Sequence, residues 1–139
     1  MILNEVLRLY LPAMMFTRLT TRETTLGQTT LLAKVQLMLP ILALHHDKEV
    51  WGDDVEDFNP ERFKEGVSKA TKGDVSFFPF GWGPRTCIAQ NFAMLEAKMT
   101  LVMILQCFAF ELSPSYTHAS HTVVTLQPQH DAYLSLRKL

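Results

Sequence analysis

The sequence predicts a mixed α/β protein, mainly helical, with small sheets. Apolar residues recur at helical spacing near the N-terminus and again, over a longer stretch, after residue 88. Short apolar or alternating runs bounded by turn residues lie between and beyond these helices and read as strands. With 139 residues, 47% of them hydrophobic and 19% charged, the chain has the length and composition of one globular domain spanning residues 1–139.

Taken in order, Met1–Tyr10 reads as a helix with Ile2, Val6 and Leu9 on one face and Leu3, Leu7 and Tyr10 beside it; Pro12 ends it. It opens inside its own apolar pattern with no N-cap, which suggests a chain cut from something longer. Glu5 and Arg8 lie three apart and share a helix face; by pattern alone they form a solvated ion pair worth about a few tenths of a kcal/mol. Ala13–Leu19 is extended and apolar through Met14, Met15 and Phe16 and carries Arg18 near its end, as a core strand with a surface charge does. Glu23–Leu26 and Leu31–Leu37 flank Gly27-Gln28 and predict a hairpin, with Gly27 supplying a positive φ.

Pro40–His46 predicts a short helix ending in His45-His46-Asp47. Adjacent helical residues point about 100° apart, so the two imidazoles do not share one ion readily, and capping and surface hydrogen bonds are the expected roles. Trp51–Asp57 is an acidic turn leading to Phe58-Asn59-Pro60-Glu61-Arg62-Phe63, and Lys64–Asp74 reads as a polar, mobile surface loop. Ile88 to about Gln106 is the strongest helix, with Phe92, Leu95, Met99, Val102, Met103 and Gln106 on one face and Glu96 and Lys98 on another side. Met94, Met99 and Met103 read as packing residues, and Cys107 as a small core residue. Strands are expected at Phe108–Leu112, Val123–Leu126 and Ala132–Arg137, the last two around a Pro128–Asp131 turn.

Thirteen basic and fourteen acidic residues give a net charge of -1 with no basic cluster, so no nucleic-acid surface is expected. Two cysteines make no disulfide framework and point to a reducing compartment. No signal peptide is visible, and the longest apolar runs fall short of the ~20 residues a membrane-spanning helix needs.

The most informative stretch is Phe80-Gly81-Trp82-Gly83-Pro84-Arg85-Thr86-Cys87-Ile88-Ala89. It places Cys87 at the end of a Gly/Pro-rich loop, just before the long helix. Unpaired amides and the positive end of the helix dipole favour a thiolate there, as metal ligand or nucleophile. Phe80-x-x-Gly83-x-Arg85-x-Cys87-x-Ala89 resembles the Cys-ligand loop of the cytochrome P450 family, with Ala89 where the family has Gly. Glu5-Val6-Leu7-Arg8 resembles the family's E-x-x-R helix, and Pro60-Glu61-Arg62-Phe63 its P-E-R-F segment, in the family's order. Phe77–Gly81, Asn91–Thr100 and Phe110–Tyr116 are most similar to the plant clan that includes secologanin synthase and related terpenoid and hormone hydroxylases.

The resemblance implies the C-terminal portion of the P450 fold and a haem-thiolate monooxygenase. Cys87 is then the axial ligand of a haem b iron, and loop amides donate to its sulfur. Phe80, Gly81, Gly83, Ala89, Arg85 and Arg18 bind the cofactor, the two arginines at its propionates, while Phe80 limits water near the thiolate. Glu5, Arg8 and Arg62 form a buried bracing network. Met14, Met15 and Phe16, with Val124 and Thr125, approach the substrate pocket, although a plain hydrophobic strand explains Val123–Leu126 equally well. The implied reaction is hydroxylation of a small apolar, terpenoid- or hormone-like molecule with electrons from NADPH-cytochrome P450 reductase. The implied place is the cytosolic face of the endoplasmic reticulum membrane. The family's membrane anchor and long oxygen-handling helix are expected to lie outside this chain, which leaves a truncated, non-catalytic product as the alternative. A hydrolase using Cys87 with His45, His118, His121 or His130 as base has no flanking signature in its favour.

Overall fold

The structure, a computed structural model, describes residues 1–139 and divides into two compact units, Met1–Pro79 and Phe80–Leu139.

In the first unit, helix α1 (Ile2–Leu9) is followed by strand β1 (Phe16–Leu19), which pairs antiparallel with β4 (Gln36–Leu39). Between them, β2 (Thr24–Leu26) and β3 (Thr29–Leu31) form a hairpin that turns at Gly27, with φ 57. The hairpin is where its turn chemistry puts it, but its second strand ends at Leu31. The residues from Gln36 pair with β1 instead, so the expected Leu31–Leu37 strand splits in two. Helices α2 (Ile41–His45) and α3 (Lys48–Trp51) follow, then a 3-10 turn at Pro60–Phe63. A short helix α4 (Val67–Ala70) replaces part of the expected surface loop, and Thr71 beyond it is buried, its hydroxyl donating to the Val67 carbonyl at 3.1 Å.

The apolar core here is Trp51, Val55 and Phe63, with Val50, Ala70 and Phe77 packed against it; Leu9, Leu11 and Ile41 are buried as well. Trp51, Phe63 and Phe77 meet in tilted and edge-on pairs with centroids 5.0–6.1 Å apart, the arrangements ring quadrupoles favour.

In the second unit a loop with one 3-10 turn (Gly83–Arg85) leads into the 18-residue helix α5 (Gln90–Cys107). Strand β5 (Phe108–Leu112) continues directly from it and pairs antiparallel with β8 (Leu134–Lys138), while β6 (Ser120–Thr122) and β7 (Leu126–Pro128) make a separate hairpin. Val123, Val124 and Thr125 therefore form the hairpin's tip and not a strand, with Val124 89% exposed.

Helix α5 also departs from the one-faced amphipathic helix expected. Phe92, Leu95, Met99, Val102 and Met103 are exposed, and so are Leu101, Ile104 and Leu105 on its other sides. Cys107, expected in a core, is exposed too. No helix in the structure is long and apolar enough to cross a membrane.

Candidate functional site

The residues singled out by sequence form two constellations, one in each unit. In the first, Glu5 and Arg8 are both 0% exposed, which overturns the solvated surface pair that their spacing alone suggests. Arg8 Nε and Nη2 donate to the two carboxylate oxygens of Glu5 at 3.0 and 2.8 Å, a fork-to-fork pair. Two ions taken from water are costly unless their remaining hydrogen-bonding capacity is filled, and here it is. Arg8 also donates to the carbonyls of His45 (2.9 Å) and Asp57 (3.3 Å), and its guanidinium lies 5.4 Å from the centre of the Trp51 ring. Glu5 also accepts the Asn59 amide at 3.0 Å.

Arg62 approaches this pair from the 3-10 turn. Its Nε lies 3.6 Å from Glu5 Oε1, close enough for ion pairing yet without a hydrogen bond. Its other nitrogens donate to the Trp51 carbonyl (2.8 Å) and, as a fork, to the Asp54 carboxylate (3.2 and 2.9 Å). Hydrogen bonding to Arg62 chiefly, and to Asn59, holds the Asp54 carboxyl below its ordinary value. Glu5, Arg8, Arg62 and Asp54 thus form a charge-balanced chain crossing from α1 to the 3-10 turn.

The His45-His46-Asp47 cluster resolves into three unrelated roles. Asp47 caps α3, its Oδ1 accepting the Glu49 amide at 2.9 Å. His46 lies between Glu56 (3.1 Å) and the Leu9 carbonyl (3.1 Å). His45 is not at the surface: it is fully buried, stacked on Phe77 with centroids 5.2 Å apart, and its Nε2 faces the Phe78 amide at 3.4 Å. Burial, then the nearby positive charge of Arg8, lower its pKa from 6.5 to about 4, so the ring is neutral. No group of three or more His, Cys, Asp or Glu is arranged to hold a metal ion.

Farther along the first unit, Met14 and Phe16 are half-buried and Met15 is 46% exposed. Arg18 on β1 lies over the Phe16 ring at 5.6 Å and donates to the Thr17 carbonyl at 3.0 Å.

In the second unit the Cys87 loop closes on itself. The Cys87 amide donates to the Phe80 carbonyl at 2.8 Å, and Thr86 donates to the Gly83 carbonyl through both its amide (3.1 Å) and its hydroxyl (2.9 Å). Gly81 and Gly83 have φ 82 and 69, left-handed values that residues with a Cβ adopt only at a cost. The loop's shape therefore favours glycine at both positions. Ala89, where the family pattern has glycine, has φ -91 and ψ 7, a negative φ that does not demand glycine. Cys87 is exposed and precedes α5 by a single turn, its carbonyl accepting the Gln90 amide at 3.3 Å. Arg85 is exposed on the same loop, and Phe80 is half-buried at its base.

An exposed thiol presented by a self-closed loop suits a flat, bulky cofactor whose metal takes a sulfur ligand, and haem is such a group.

Comparison with known proteins agrees. The sequence profile described as Cytochrome P450 matches residues 1–134. The chain is 67% identical over its whole length to "Cytochrome P450 72A397" of Kalopanax septemlobus. It is 59% identical to "7-deoxyloganic acid hydroxylase" of Catharanthus roseus and 58% identical to "11-oxo-beta-amyrin 30-oxidase" of Glycyrrhiza uralensis, again over all 139 residues. It spans 27% of the length of each of these relatives. With the family matched over nearly all of its residues, and the cysteine loop, the buried Glu–Arg pair and the P-E-R-F turn all present, the chain belongs to the cytochrome P450 family.

Proposed function

We propose that this chain supplies the thiolate side of a plant haem monooxygenase, with Cys87 as the axial ligand of haem b. The single observation that carries the reading is the self-closed loop that leaves the Cys87 thiol exposed ahead of α5. A thiolate-bound haem supplies dioxygen activation, because the sulfur donates electron density to the iron and favours O–O cleavage.

The chain's own residues hold and tune that centre. The amides of Thr86 and Cys87 are committed to loop carbonyls, and the remaining amides of the Gly-rich loop would donate to the sulfur. Phe80 at the base of the loop would limit water near the thiolate once haem covers it. Arg85 and Arg18 are the cations for the propionates, for which a guanidinium fork is well matched. Glu5, Arg8 and Arg62 take no part in the chemistry and brace the unit that bears them. Met14, Met15 and Phe16, with Val124 and Thr125 at the tip of the β6–β7 hairpin, are the apolar groups offered to substrate. The substrate class is a small apolar molecule of terpenoid or hormone type, in line with the oxidase and hydroxylase names of two relatives. Electrons come from NADPH-cytochrome P450 reductase, at the cytosolic face of the endoplasmic reticulum membrane.

The test is the visible spectrum of the chain with added haem, reduced under carbon monoxide. A strongly red-shifted Soret band that is lost in Cys87→Ala and kept in Cys107→Ala is the expected result. Its absence from the unaltered chain would favour the second reading, a non-catalytic product of the same family.

A further inference from the structure

The buried imidazole of His45 belongs neither to the ion network nor to the cysteine loop, yet it touches the first of these and the approach to the second. Its own carbonyl accepts Arg8 Nη1 at 2.9 Å. Its Nε2 lies 3.4 Å from the amide nitrogen of Phe78, and its ring is stacked on Phe77. Trp51 and Phe78 close two further sides, with centroids 6.4 and 6.1 Å away and planes 82° and 72° from that of the imidazole. Phe77–Pro79 is the segment from which the Cys87 loop departs, since Phe80 is the loop's first residue.

We propose that His45 is a positioning residue that ties the Phe77–Pro79 segment to the Glu5–Arg8 network, with its backbone held by Arg8 and its Nε2 accepting the Phe78 amide. The chemistry requires one tautomer. An amide nitrogen only donates, so Nε2 must carry the lone pair and Nδ1 the proton. The surroundings fit this. The backbone carbonyls of Leu7 and Arg8 on α1 favour a proton on the ring, although neither is in hydrogen-bond geometry with the buried Nδ1. The charged or titratable groups facing the imidazole are Arg8 from α1 and His46, the residue that caps its own helix. Trp51 from α3 and the Phe77–Phe78 segment contribute only uncharged rings. A second ring proton would point from Nε2 at the Phe78 N–H and break the tie, and the adjacent Arg8 makes that proton costly. A phenylalanine at position 45 would keep the stack on Phe77 and lose the acceptor. A glutamine would place a carbonyl oxygen near the position of Nε2.

The role assigned to the segment rests on the thiolate reading above, but its test does not involve haem. Nitrogen-15 imidazole shifts of the unaltered chain near neutral pH report the tautomer directly. The expected result is a proton on Nδ1 and a bare Nε2; a proton on Nε2 would overturn the proposal whatever the variants do. Hydrogen exchange at the Phe78 amide is the second readout. His45→Phe should accelerate it about fivefold, the worth of one ordinary hydrogen bond, and His45→Gln should restore protection. Equal exchange in both variants would also overturn the proposal. A missing Soret band would sink the thiolate reading and leave this tie untouched.

Discussion

Residues Met1–Pro79 take a carboxylate and a guanidinium wholly out of water, whereas Phe80–Leu139 carries an 18-residue helix with no fully buried residue and most of its apolar side chains exposed. Hydropathy alone predicts the reverse. The difference lies in what each group finds within its own unit. Beyond each other, Glu5 and Arg8 find one further guanidinium, three backbone partners and an indole face, so their desolvation is offset contact by contact. The apolar residues of α5 run round the whole helix, and a helix of that kind needs cover on every side. A pair of two-stranded ladders does not provide it.

The largest effect should come from breaking the buried pair. Glu5→Gln leaves Arg8 as a buried charge short of its carboxylate and should cost about 3–5 kcal/mol of stability, read by urea unfolding through Trp51 fluorescence. A cost below about 1 kcal/mol would mean that the pair is in effect solvated. Next is acid sensitivity. The His45 pKa is lowered in the folded chain, from 6.5 to about 4, so the unfolded chain takes up the proton first as pH falls. The stabilisation is complete above pH 6.5 and declines from there down through about 4, by up to about 3 kcal/mol. Urea midpoints across that range, compared with His45→Phe, would show the difference, and parallel curves for the two proteins would rule it out.

In the second unit the effects should be smaller. Gly83→Ala forces a Cβ into a left-handed conformation with nothing crowding it, a strain of about 1–2 kcal/mol that should loosen the Thr86 amide in hydrogen exchange. Unchanged protection at Thr86 would show that the loop does not depend on that φ. Met103→Lys, on an exposed face of α5, should change stability by less than about 0.5 kcal/mol while lowering the binding of a hydrophobic dye. A large loss of stability there would mean that α5 is covered, and the contrast between the units would fail.

The sequence is most legible where structure is local. The spans of α1 and α5, the turn at Gly27, the strand at Phe108–Leu112 and the glycines of the cysteine loop follow from short-range chemistry. It is least legible where burial depends on distant residues. Spacing places Glu5 and Arg8 on one helix face, but their removal from water depends on Asn59 and Arg62, more than fifty positions away, and only the family resemblance suggested it. His45 reads as the end of a surface helix until Phe77 and Phe78 close over it from more than thirty positions downstream. Val123–Thr125 has strand-forming residues, yet it forms a hairpin tip because the residues on either side of it pair with each other. In α5, Glu96 and Lys98 suggested a polar side, but two charges do not offset the apolar residues that surround them.

The measurement closest to the central claim is iron X-ray absorption of the haem-loaded chain, because both Cys87 and Cys107 are exposed and either thiol could reach an added haem. One sulfur in the iron's first coordination shell, lost in Cys87→Ala and retained in Cys107→Ala, is the predicted result. A sulfur that survives Cys87→Ala, or a first shell of nitrogen alone in the unaltered chain, would contradict the assignment of Cys87 as the ligand.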